Sequence, residues 1–405
     1  MEYYQKHDQD TMYSGLARTV HKFQSLIGAP HTDHWNAVLF GGFIGSLFSI
    51  LQFLACPVIG MASDVYGRKP VFLFSMFGVA LSYLIWSFSK SFSLFILARI
   101  LGGVSKGNVS LSTAVVTDVS SAEKRGRGMA LIGIAFSLGF IFGPLIGAVF
   151  SKMADKEQDF FVFPALFAFG LSLFNIIFVG LCLKESLPPN KRAKSLSNSW
   201  DQVSYLINPV SLFKFSAVKT LKTNEIHSMQ TIGFVYFWYL FLFSGLEFTL
   251  TFLMHSRFGY TSMQQGKMFF FIGSFMALVQ GCCTRRIPFG KEKYVATIGI
   301  AIFIPAFSII AFASSTWIMY FALMLFSFGA ATVVPCLTTL ISRNGKPHQK
   351  GVIVGIFRSL GALARALGPI ILCTLYWLGG PQLCYLTGAI CLSLPLIVLQ
   401  RLGSC

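Results

Sequence analysis

The stretch FIGSLFSILQ at residues 43–52 returns at 271–280 as FIGSFMALVQ. Phe43, Ile44, Gly45, Ser46 and Gln52 match Phe271, Ile272, Gly273, Ser274 and Gln280, an offset of 228 residues. Further along, Gly103, Leu111 and Thr113 match Gly329, Leu337 and Thr339 at an offset of 226. Ser137-Leu138-Gly139 matches Ser359-Leu360-Gly361, and each leads into a Gly-Pro pair. Each match is short, but their order and near-constant offset make the chain two related halves in the same orientation. Repeats of that kind build membrane transporters.

Composition agrees. Hydrophobic residues make up 54% of the 405 and charged residues 12%, about half the usual share for a soluble chain. Mean hydropathy is +0.67. Apolar runs near 38–62, 71–88, 92–117, 128–150, 160–183, 231–254, 267–284, 294–313, 316–341, 352–378 and 383–400 are each long enough to cross a hydrocarbon core of about 30 Å. The runs are continuous rather than alternating, so the spans are helices and not barrel strands. The fold class is therefore all-α integral membrane, with eleven predicted spans.

The net charge of +17 does not signal nucleic acid, because basic loops are ordinary on the cytoplasmic side of membrane proteins. Cys56, Cys182, Cys336 and Cys373 lie within apolar runs without paired spacing; they read as packing residues rather than a disulfide framework or a zinc site. The sequence GVSKG at 103–107 fits a hydrolase pattern, but no strand precedes it, so an enzyme is not expected.

The spans divide into 38–183 and 231–405. Between them, 184–230 is predicted to be a solvated cytoplasmic linker with short surface helices, and 1–37 an extracytoplasmic segment. Loops after alternate spans, with the tail, hold twenty Lys and Arg against eight on the other side, which places the first set in the cytoplasm. The partner of 231–254 would fall near residues 3–26, which are too polar to cross. The pattern is thus twelve helices without the first.

Between the first two spans lies GMASDVYGRKP, residues 60–70. Gly60 and Gly67 allow a tight reversal, Asp64 can cap a helix or pair with a cation, and Arg68 and Lys69 hold the loop inside. This closely resembles the signature loop of the major facilitator superfamily, departing at Val65, where many members carry Arg. GFIFGPLIG, residues 139–147, places Gly139, Gly143 and Gly147 on one helical face, a spacing that permits close helix contact, with Pro144 among them. It resembles that superfamily's antiporter motif, with Ala148 where a final Gly is common. Arg99 in ARILGGVSKGN resembles its fourth-helix arginine motif. Within the superfamily the chain is most similar to tetracycline-transporter-like members. The resemblance implies the two-bundle fold, a coupling role for Arg99, a gating role for Asp64 and Arg68, and Asp118 as the loop's ion-pair partner.

Five ionisable residues lie inside the spans: Arg99, Lys106, Arg358, Arg365 and Glu247. Intramembrane charges default to function. Four cations against one anion fit a water-filled cavity that receives an anion, because Arg can hold a carboxylate or sulfonate through two hydrogen bonds. Arg365, Arg358 and Lys106 are the candidate anion-binding residues, with Asn108, Gln52, Gln280 and Thr113 adding polar contacts. Glu247, with Arg99, is the candidate for proton coupling; Glu247 could equally neutralise an Arg.

The sequence therefore predicts alternating-access transport of small organic anions, with exchange against protons or another anion. Two other readings stand beside it: a transport-inactive or truncated membrane protein acting as a partner, and a cationic-drug antiporter. The implied partners are the lipid bilayer, a small organic anion and protons, with no nucleic acid, no cofactor and no metal. The chain is expected to be a monomer in the plasma membrane or an internal membrane.

Overall fold

The computed structural model describes residues 11–27, 33–121, 123–153, 159–192, 208–216, 218, 223–345 and 349–402. Their regular structure is helical: α1 Thr11–Ile27, α2 Asp33–Tyr66, α3 Arg68–Ser87, α4 Phe92–Val104, α5 Asn108–Val119, α6 Arg125–Met153, α7 Asp159–Cys182, α8 Pro209–Phe213, α9 Thr223–Phe258, α10 Ser262–Cys282, α11 Glu292–Phe312, α12 Thr316–Arg343, α13 Lys350–Cys391 and α14 Ser393–Arg401. Local chemistry sets several of the ends. Thr261 and Gln264 form a reciprocal capping box at the start of α10, and the hydroxyls of Ser91 and Ser315 accept N–H groups at the starts of α4 and α12, satisfying donors that a helix terminus leaves open.

Ten helices among the described residues are long and apolar enough to cross a membrane. The last, Lys350–Arg401, has 52 residues, about 78 Å at 1.5 Å per residue and more than two crossings of the core. The chain reverses within it at Gly380, where φ is 74° and ψ 174°, and Pro381 restarts the helix. The Cys384 thiol then donates to the Leu372 carbonyl at 3.4 Å, which lays the two arms side by side. With this segment divided, the count is the predicted eleven.

One predicted span is discontinuous. The run 92–117 forms α4 and α5, broken at Ser105-Lys106-Gly107. The break is held from α3: the Ser75 hydroxyl donates to the Ser105 carbonyl at 2.6 Å and accepts the Gly107 N–H at 3.2 Å. Unwound backbone inside a membrane needs such partners.

Each copy of the repeated phrase packs against the opposite half, α2 against α13 and α10 against α6. At the first crossing a Cβ on Gly355 would lie 2.9 Å from the Cys56 carbonyl and the Pro57 Cα, and Gly60 faces the Gly351 carbonyl. Glycine lets these backbones approach. At the second, Ser137 of α6 donates to the Gln280 side-chain oxygen at 2.8 Å, and Gly273 lies against Ile141. The second half also carries an aromatic core, in which Tyr236 stacks on Phe357 at 3.8 Å and Phe303 meets Phe326 edge-on at 5.3 Å. Phe74, Leu181 and Trp317 point outward, as lipid-facing residues should.

One segment differs from expectation. The linker is not solvated throughout: Leu212, Phe215 and Val218 are buried in the core cluster that includes α9, because Phe215 packs over Gly233. Residues 193–207 lie outside the described residues. Near the N-terminus, α1 is a helix of 17 residues whose Tyr13, Leu16 and Ala17 pack on Ile44, Phe92 and Ile96.

Candidate substrate cavity and gate

A cavity of 330 Å³ lies between the halves. Gln52 on α2 and Gln280 on α10, the last residues of the two repeated phrases, both line it. Lys106 reaches it from the break between α4 and α5, where its backbone is released from the helix. Arg358 and Arg365 reach it from α13, seven residues apart and so two turns along one face. Glu247 lines it from α9 together with Tyr236, Tyr239 and Phe243. Neither Lys106, Arg365 nor Glu247 has an ion-pair partner among the described residues. The cavity thus holds three cations and one carboxylate beside an aromatic wall.

Arg358 is the most constrained of the cations. It is 8% exposed, and its guanidinium donates to Thr113 Oγ1 of the first half at 3.2 Å and to the Tyr236 hydroxyl of the second at 3.4 Å. Its Nε is buried without a hydrogen-bond partner among the described residues.

Three sequence expectations are corrected. Asn108 does not line the central cavity; it faces a separate open groove between α5 and α6, with Ser112, Phe136 and Gly139, because the helix break rotates α5 relative to α4. Arg99 is not grouped with Glu247; it lines a smaller side cavity within the first half. The antiporter-motif glycines make no close helix contact among the described residues: a Cβ on Gly139, Gly143 or Gly147 would meet nothing within 4 Å. α6 instead meets the other half through Gly133, Ser137 and Ile141. The corresponding glycines of α13 are covered by α9, Gly361 by Tyr236 and Gly368 by Ser244 and Gly245. The Pro144 side chain lies outside the described residues.

The signature loop forms a buried ionic cluster. Gly67, with φ 102°, reverses the chain between α2 and α3 in a conformation only glycine adopts easily. Arg68 is fully buried. It donates through Nε to Asp118 at 2.8 Å, and through Nη1 to Asp64 and Ser63 at 2.7 Å each. Asp64 also accepts the N–H groups of Gly351 and Val352, at 3.0 and 2.8 Å, from the start of α13. A carboxylate at a helix N-terminus meets open donors and the positive end of the dipole. The cluster therefore ties the two halves together at the loop end, about 10 Å below Arg358 along α13.

Glu185, which the sequence gave no reason to single out, completes the cluster. Its carboxylate accepts the N–H of Arg68 at 2.9 Å and of Lys69 at 3.2 Å, capping α3 from 117 residues away. Burial works to raise its carboxyl, but the N–H groups of Leu187, Arg68 and Lys69, together with Arg192, hold it below its usual range. The second half has a clamp of its own, in which Arg343 pairs with Glu292 and lies 4.2 Å over the Phe289 ring.

Comparison with known proteins agrees with this architecture. The sequence profile described as Major Facilitator Superfamily matches residues 14–369. Major facilitator superfamily domain-containing protein 10 of Mus musculus is 46% identical over 399 residues, covering 98% of this chain and 86% of that protein. The class B tetracycline resistance protein of Escherichia coli is 27% identical over 338 residues, 83% of this chain and 78% of that protein. The crystal structure of the human organic anion transporter MFSD10 (TETRAN) superposes with a TM-score of 0.93 at 43% identity, covering 98% of this chain and 93% of that one. With its paired halves, signature loop and inter-half cavity, this chain belongs to the major facilitator superfamily.

Proposed function

We propose that this protein carries small organic anions across a membrane by alternating access, with the substrate held in the cavity between the halves. The observation that carries the reading is the charge of that cavity: Lys106, Arg358 and Arg365 against Glu247 alone. A dry interior with that imbalance would be unstable; a cavity that receives a carboxylate or sulfonate is not. The aromatic wall of Tyr236, Tyr239 and Phe243 suits a substrate with an apolar body. The human relative described as an organic anion transporter supports the same class. A cationic substrate would find one acid facing three bases.

Arg365 is the main anchor in this reading, because Arg358 is already engaged by Thr113 and Tyr236. Glu247 is the proton-coupling residue, since it is the one carboxylate on the cavity wall and forms no salt bridge among the described residues. The contact of Asp64 with the start of α13 closes the cavity at the loop end, which the loop charges assign to the cytoplasm. Opening that contact while the opposite end closes completes the cycle.

Uptake of radiolabelled salicylate by protein in liposomes tests the proposal. Arg365→Ala should lose uptake at least tenfold, the scale of one charged hydrogen bond of about 1.5–3 kcal/mol, while remaining folded. Arg365→Lys should retain part of it, having charge without the planar fork. Unchanged uptake in Arg365→Ala would remove the central argument.

A further inference from the structure

The side cavity within the first half is a separate chamber of 210 Å³, about seven times a water's ~30 Å³ share of the liquid. Phe48 lines it from α2, Tyr83 and Trp86 from α3, and Arg99 from α4. Lys106 lines it too, and so borders both chambers. We propose that this chamber is a second anion site, which takes an aromatic carboxylate with the carboxylate on Arg99 and the ring among Phe48, Tyr83 and Trp86.

Four features point to that ligand. First, among the described residues Arg99 and Lys106 have no ion-pair partner and no carboxylate lines the chamber. Second, the Arg99 Nε is buried with no hydrogen-bond partner, so the side of its fork that binds a carboxylate in two-point fashion is unused. Third, the guanidinium lies 4.6 Å over the Phe48 ring, a cation–π contact that fixes its plane. Fourth, Tyr83 and Trp86, 6.4 Å apart between centroids, join Phe48 on walls completed by Val79, Ser82, Ala98 and Gly102, and the chamber is sized for one ring and its acid group. An inorganic anion would satisfy the charge but leave the aromatic walls unfilled.

The break at residues 105–107 makes this possible. In a continuous helix Lys106 would sit on one face; with the backbone unwound it stands between the chambers. A carboxylate on Arg99 lies near Lys106 and weakens its attraction for an anion in the central cavity, so the two sites oppose one another.

The two sites share Lys106 but have different anchors, Arg99 and Arg365, and the test separates them. Binding of 4-nitrobenzoate, which quenches tryptophan emission, is followed in detergent-solubilised full-length chain, with Trp86→Phe identifying the Trp86 signal. Equilibrium dialysis of the radiolabelled probe gives the stoichiometry. The expected result is two probes per chain in the native protein and one in each of Arg99→Ala and Arg365→Ala. Trp86 quenching should persist in Arg365→Ala and fall at least tenfold in affinity in Arg99→Ala. Ala98→Leu, which fills the chamber without altering Arg99, should act as Arg99→Ala does and covers the case in which that variant does not fold. One probe per native chain whose binding survives Arg99→Ala, or Trp86 quenching unchanged in Arg99→Ala or Ala98→Leu, would overturn the proposal. Loss of all quenching in Arg365→Ala would show one shared site instead of two.

Discussion

The Asp64 carboxylate accepts the backbone N–H of Val352 at 2.8 Å across 288 residues of sequence. The same carboxylate holds Arg68 in its own half. One side chain thus links the signature loop to the first turn of a helix in the other half, and the link depends on charge meeting a helix dipole.

Asp64→Asn keeps the shape and removes the charge. Charge-assisted bonds lost here should shift the equilibrium about tenfold or more toward forms open at the loop end. Alkylation of a cysteine placed at Thr339, which is 2% exposed, should be faster in that background. Equal labelling rates would show that the contact does not hold the gate.

Arg68→Ala leaves Asp64 and Asp118 buried without their cation. Breaking a buried pair from one side costs about 3–5 kcal/mol, so the unfolding midpoint in detergent should drop by several degrees. Arg68→Lys should recover only part, because one ammonium cannot reproduce the bonds to Asp118, Asp64 and Ser63 in one plane.

The Glu185 carboxyl is held low by backbone N–H groups despite partial burial. A depressed carboxylate adds stability that is complete above its unfolded value, about 4.3, and is lost as pH falls through the lower folded value. Thermal unfolding followed from about pH 6 down to 3 should show an acid limb that Glu185→Gln makes shallower. A limb of unchanged slope would assign acid sensitivity to other groups.

Glycines alike in sequence should respond differently. Gly355→Ala places a Cβ 2.9 Å from the Cys56 carbonyl and forces two backbones apart, at about 1–3 kcal/mol. Gly143→Ala meets nothing within 4 Å and should be neutral or stabilising by up to about 1 kcal/mol, because Ala is the better helix former. Unfolding midpoints of the two variants, measured side by side, check the contrast.

Glu247→Gln separates coupling from binding. With Glu247 as the proton carrier, uptake driven by a pH gradient should fall at least tenfold while anion exchange continues. Equal loss of both would make Glu247 a neutraliser of the cavity cations.

The sequence by itself determined the membrane helices, because runs that bury no polar side chain in lipid must satisfy their backbone internally. It determined the two related halves through FIGSLFSILQ and FIGSFMALVQ, and it marked Asp64 and Arg68 through the loop they sit in. It also supplied Gly103, Ser105 and Gly107 around Lys106, poor helix formers from which the break could have been read. Tertiary structure decided the rest. Helical spacing shows which residues share a face but not which neighbour that face meets. Ser75 of α3 holds the break open, and so Lys106 enters the central cavity while Asn108, two residues on, faces a different groove. Arg99 and Arg365 looked alike as isolated charges, and only the packing of α2, α3 and α4 gave Arg99 a chamber of its own. Glu185 reaches Arg68 across 117 residues because α7 returns beside α3, a contact with no local signature.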